Sequence, residues 1–234
     1  TRYRPETHIV EGSRETIVPN TNVYYTKGTD GSPDLLFLHL MEPHAFAETY
    51  IKSLADLLKA FDVKRYCRIS GMYNAVPHTR PLKVTGSPGV EEISSLKGLV
   101  TPRQSVGGYT GPTSIMNSLN EELEKEGIET ISFMVHLPHY LNFEEDHSGT
   151  ARLTEILCAL YGLPKHLIDK ERGDEQYMEI GADLEYNERV QALVIQLEEY
   201  YDNNQPSDGS QEDSDLSPDV EKFLREITQK LDGQ

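Results

Sequence analysis

Two prolines bracket an imidazole, a hydroxyl and a guanidinium in Val76-Pro77-His78-Thr79-Arg80-Pro81. Proline fixes its own φ and restricts the residue before it, so this loop presents its polar groups from a narrow set of backbone shapes. Arg80 and His78 are residue types that hold an anion. Further along, Gly107-Gly108-Tyr109-Thr110-Gly111 precedes a helical pattern. Backbone N–H groups at that positive helix end would add to an anion site. A third segment, His136-Leu137-Pro138-His139-Tyr140, brings two more imidazoles and a phenol. Read together, His78, Thr79, Arg80, Gly107, Gly108, Tyr109, Thr110, Gly111, His136, His139 and Tyr140 are the candidate ligand or interface residues. As an enzyme, the chain would place an anion on Arg80 and the 107–111 loop and use His78 or His136 as acid or base. As an interaction protein, it would pair Arg80 with an acid across a subunit contact.

Metal chemistry has weaker support. His39, Glu42 and His44 are close in sequence, but a strand and then Glu42-Pro43 separate them. His136, His139 and His147 with Glu144, Glu145 and Asp146 are denser, yet Pro138-His139-Tyr140 reads as the turn ending a strand. Neither group has the helical or cysteine spacing that marks zinc sites. No Ser or Cys sits in a nucleophile elbow, and no Gly-x-Gly-x-x-Gly follows a strand. Asp146 and Glu42 could form an acid/base pair, but nothing in the sequence brings them together. We assign no catalytic residue, no metal and no cofactor.

These loops need strands and helices to hold them. Asp34–Leu40 is almost continuously apolar and predicts a strand buried on both faces. Ala45–Phe61 carries Ala47, Tyr50, Ile51, Leu54, Leu58 and Phe61 at helical spacing. Tyr66–Ile69 is a second buried strand. The three predict a βαβ unit with parallel pairing and a right-handed crossover. The loop from Gly71 to Pro81 would then leave a parallel strand's tip, where open α/β sheets place their sites. Leu82–Thr85 predicts a short strand, and residues 86–111 an irregular segment. A helix is expected from Pro112 to Glu126, with Gly127 at its end and Ile115, Met116, Leu119 and Leu123 as its stripe. Ile128–Val135 predicts a strand whose tip, near His136, opens on the same sheet edge as Gly71. Ala151–Tyr161 predicts a helix with Leu153, Ile156, Leu157 and Leu160 inward and Gly162 ending it. Before Asp34, Thr16–Val18 and Val23–Tyr25 predict a hairpin or edge strands around Pro19-Asn20.

The chain has 234 residues and a formal net charge of -17. That charge argues against nucleic acid and anionic membrane as partners, since both need a basic surface. The two cysteines, Cys67 and Cys158, make neither a disulfide framework nor a zinc pattern. With no signal peptide or spanning run visible, the expectation is a cytoplasmic protein. The domain reading is an α/β core at 1–168, a helical extension at 169–201, an acidic flexible linker at 202–217 and an amphipathic helix at 218–234. That last helix carries Val220, Phe223, Leu224, Ile227 and Leu231 at helical spacing, and must pack on something to be stable.

Leu40-x-Glu42-Pro43, the Gly71–Pro81 loop, Gly107–Gly111 and His136–Tyr140 together resemble the proteasome assembly chaperone 2 family, over roughly residues 34–201. The resemblance implies a three-layer, Rossmann-like α/β fold similar to nucleoside phosphorylases and hydrolases, with a mostly parallel sheet and a C-terminal helical extension. It also implies homo-oligomers, with a trimer favoured, and a protein partner, with no enzymatic role assigned. The chain departs from the family pattern in two places. No first core strand with a glycine-rich, aspartate-containing loop is visible before Asp34. The sequence ends Leu231-Asp232-Gly233-Gln234, without the hydrophobic–tyrosine ending of chaperones that insert a tail into a proteasome pocket.

Overall fold

The computed structural model describes residues 6–10, 12–17, 20–29, 31–87, 89–90, 93–103, 114–141, 143–184 and 187–203. Its central sheet has the strand order β5-β8-β6-β7. Strand β5 (Arg65–Asn74) and strand β8 (Glu129–Pro138) run parallel over ten paired residues, with Gly71 opposite Val135 and Met72 opposite His136. Strands β6 (Val84–Gly86) and β7 (Thr101–Pro102) are parallel to each other, and β6 meets β8 antiparallel. The sheet is thus mostly parallel, and the molecule is α/β.

Side-chain alternation sends β8's odd residues to one face and its even residues to the other. Ile131, Phe133 and Val135 face a core completed by Val84, Leu96 and Ile156. Ile156 belongs to α3 (His147–Tyr161). Across the sheet, Tyr66 packs with Leu54 and Leu58 of α1 (Ala47–Ala60) and with Leu119 and Leu123 of α2 (Ile115–Lys125). Helices therefore cover both faces, which gives three layers.

The cap chemistry is readable in the sequence. Gly127 and Gly162 follow α2 and α3 with positive φ of 76° and 66°. Ser114 caps α2 by accepting from the Met116 N–H. The helix expected from Pro112 therefore begins at Ile115, and Pro112 lies outside the described residues. Asp146 caps α3 by accepting from the Gly149 N–H at 2.6 Å, so that helix starts four residues earlier than its apolar stripe suggests.

The N-terminal pairing differs from expectation. Strand β2 (Ser13–Ile17) pairs with β1 (Glu6–Val10), and β3 (Asn22–Thr26) pairs antiparallel with β4 (Leu35–His39). The strand expected to be buried on both faces, β4, is half-exposed along its length. No described ladder joins it to β5, so the βαβ unit with parallel pairing is not what the 34–69 segment forms. Leu36 and Leu38 still reach the α1 core. The continuous apolar run here has Leu36 and Leu38 on the helix-covered face and Phe37 exposed on the other, with β3 paired along one edge, and no two described parallel neighbours bury it.

Past α3 the chain forms α4 (Lys170–Leu184) and α5 (Glu188–Asn203). Most of the expected linker, from residue 204, and the expected helix at 218–234 lie outside the described residues.

Candidate functional site

The parallel register of β5 and β8 places their C-terminal tips side by side. Strand β5 runs on to Asn74 and so takes in the first residues of the segment expected to be loop. Asn74 then ties the two tips together. Its carbonyl accepts from the His139 backbone N–H at 3.2 Å and contacts His139 Nδ1 at 3.2 Å. Its side-chain amide donates to His136 Nδ1 at 2.9 Å. With Nδ1 an acceptor, the His136 proton sits on Nε2 and is donated to Thr85 Oγ1 at 3.1 Å. Burial lowers the pKa of both His136 and His139, so both favour the neutral ring. His136 is therefore a cross-brace among three strands, its two ring nitrogens already engaged.

The 75–83 loop crosses over these tips. The Tyr140 hydroxyl accepts from the His78 backbone N–H at 2.8 Å and lies 2.7 Å from His78 Nδ1. Burial lowers the His78 pKa and pushes Tyr140 up to about 12, so the phenol keeps its proton and can donate it to Nδ1. Beside them, Tyr177 of α4 donates to Asp146 Oδ2 at 2.8 Å. That bond links the cap of α3 to α4.

The anion for Arg80 comes from the chain itself. Arg80 donates through Nε and Nη2 to the two carboxylate oxygens of Asp202, at 3.0 and 2.8 Å, and through Nη1 to Glu198 at 3.0 Å. The paired geometry matches a guanidinium to a carboxylate. The hydrogen bond from Arg80 holds Asp202 below the usual aspartate range. Thr79 donates to Glu198 as well. Tyr201 donates to the Pro81 carbonyl at 2.8 Å, and the Lys83 ammonium lies 4.2 Å from the Tyr201 ring centre. Below these polar contacts, Leu193 and Leu197 pack on Ala75 and Tyr140. The loop thus clasps α5.

The structure brings together His78, Thr79, Arg80, His136, His139 and Tyr140. Gly107, Gly108, Tyr109, Thr110 and Gly111 lie outside the described residues. The start of α2, expected to offer free N–H groups, has Glu42 Oε1 accepting from the Ile115 N–H at 3.2 Å. Of the two groups in the anion reading, Arg80 is thus paired within the chain, and the 107–111 loop lies outside the described residues. Among the described residues, no three His, Cys, Asp or Glu side chains are grouped to hold a metal ion. Sequence reasoning missed Glu198, Asp202 and Tyr201. Their spacing of three and four places them on one helix face, which was the available signal, but it names no target for that face.

The loop also borders an open cleft of ≈ 1090 Å³ between α3, α4 and α5. His78, Arg80 and Tyr177 line its inner side.

The PAC2 family's sequence model matches residues 1–179. The chain belongs to the PAC2 family. The match includes residues 1–33, which the motif-based reading left out, and stops within α4. No curated protein matches the chain significantly. Solved structures do. A PAC2 family protein from Streptomyces avermitilis is 20% identical, with a TM-score of 0.66 over 83% of this chain and 79% of that one. A proteasome-assembly chaperone homologue from Mycobacterium tuberculosis is 19% identical, with a TM-score of 0.68 over 82% and 83%. PbaB, an archaeal proteasome activator from Pyrococcus furiosus, is 18% identical, with a TM-score of 0.58 over 77% and 76%. At these identities the likeness is one of fold. The PAC2 α/β core is shared, and α5 follows the stretch that the family model covers.

Proposed function

We propose that the protein is a non-catalytic, oligomeric assembly protein that uses its PAC2 core to hold a protein partner, with a trimer as the favoured form. The observation that carries this reading is the distribution of exposed apolar side chains. Ile69, Met72 and Tyr73 are exposed near the end of β5. That strand has a ladder on one side only among the described residues. Tyr24, Tyr25 and Phe37 are exposed on the β3–β4 ribbon. An unpaired strand edge beside large apolar side chains is a surface suited to another polypeptide. The names of the M. tuberculosis and P. furiosus neighbours, a chaperone homologue and a proteasome activator, support a role in protein assembly.

Sedimentation equilibrium of the purified chain tests the proposal. The expected result is a discrete oligomer, with a mass that drops toward the monomer when Met72→Lys and Tyr73→Lys are combined. No nucleoside turnover is expected. A wild-type chain that stays monomeric at micromolar concentration and binds no protein partner would sink the reading.

A further inference from the structure

The cleft beside the clasped loop has an apolar wall with no cover in the described structure. Met178 on α4 is 71% exposed and Ile195 on α5 is 56% exposed. Leu82, Ala151, Ala182 and Val194 continue this lining. We propose that residues 218–231 of the same chain dock in this cleft as an amphipathic helix, filling it next to His78 and Tyr177.

Two observations select that occupant. The first is pattern. Plotted at 100° per residue, Val220, Phe223, Leu224, Ile227 and Leu231 fall on one narrow stripe, the width needed to enter a groove between two helices. An isolated helix of this length is marginal in water and forms only where that stripe is buried. The second is reach. Helix α5 ends at Asn203, and Asp202 is paired to Arg80 on the cleft's lip. The fourteen residues 204–217 are rich in Ser, Asn, Gln, Gly and Asp. A coil of that composition and length spans roughly 20 Å root-mean-square. The cleft's α5 lining, Gln191 to Ile195, lies eight to twelve residues before Asn203, about 12–18 Å along the helix axis. A tether whose mean span matches the gap gives the highest local concentration of its end at the site. A partner seeking this cleft would have to displace the segment first.

The test is a spin label on the polar side of the segment, at Gln229→Cys, in the full-length chain. Buried Cys158 and part-buried Cys67, whose thiol desolvation pushes up to about 11, compete poorly for the label. Methyl spectra are read at Met178 and Ile195. The expected result is loss of both methyl signals, independent of protein concentration, and their return in Phe223→Asp. Retention of both signals in the labelled wild-type chain overturns the proposal. Loss seen only when labelled chains are mixed with separately isotope-enriched chains would mean that a second copy fills the cleft, and also overturns it. Neither outcome depends on the oligomer proposed above, because β5's edge carries none of the labelled or observed residues.

Discussion

At the residue scale, the paired strand tips hold three imidazoles that favour the neutral form. Burial is the leading cause for His78, His136 and His139 alike, and it lowers each from the ordinary 6.5. The sign of the consequence follows from proton uptake. Above about pH 6.5 both folded and unfolded chains keep these rings neutral, and the groups add no pH dependence. As pH falls below that value the unfolded chain takes up protons that the folded chain resists, and stability declines until the lowered folded values are reached. We expect the denaturant midpoint to fall between about pH 7 and 5, and His136→Gln to flatten that slope. A variant with an unchanged slope would show that His136 is not among the groups responsible. Tyr140 makes a separate prediction. Its hydroxyl accepts from the His78 N–H at 2.8 Å, so Tyr140→Phe leaves a part-buried donor without its partner. The expected cost is about 1–3 kcal/mol in urea unfolding. A loss near zero would mean that the loop finds another acceptor.

At the element scale, α4 fits against α3 through a backbone approach. A Cβ on Gly173 would stand 2.8 Å from Ser148 Cα and 2.9 Å from Ser148 N, which are atoms that cannot swing aside. The Ser148 hydroxyl donates to the Gly173 carbonyl at 2.9 Å across the same contact. Gly173→Ala should therefore push the helices apart and cost about 1–3 kcal/mol. Glu179→Ala, on the exposed side of α4, should stay within about 0.5 kcal/mol. Equal effects from the two would remove the close approach as the cause. The elements themselves were largely legible. Helical stripes and glycine ends located α1, α2 and α3, and the apolar runs located β4, β5 and β8. Pairing was less legible, because an apolar run records burial but not the neighbour that provides it. Leu35–His39 looks like a central parallel strand and is half of an antiparallel ribbon. The candidate loop was legible as a place and not as a contact. His78, Thr79 and Arg80 stood out by type, but their partners Glu198 and Asp202 are over a hundred residues away, and only tertiary structure brings them within reach.

At the scale of the whole molecule, apolar edges and net charge act against each other. A formal charge of -17 means that approaching copies repel over long range. The exposed side chains of β5 and of the β3–β4 ribbon attract only on contact. Added salt shortens the range of the repulsion, from roughly 30 Å at about 0.01 M to about 8 Å at 0.15 M, and leaves the apolar contact in place. Self-association through these edges should therefore tighten as salt rises over that range. Binding to a basic partner surface should weaken over the same range, because there the charges attract. Sedimentation velocity at both salt concentrations separates the two. Association of the chain with itself that weakens as salt rises would mean that its copies meet through opposite charges, and the apolar edge of β5 would no longer be the surface that joins them.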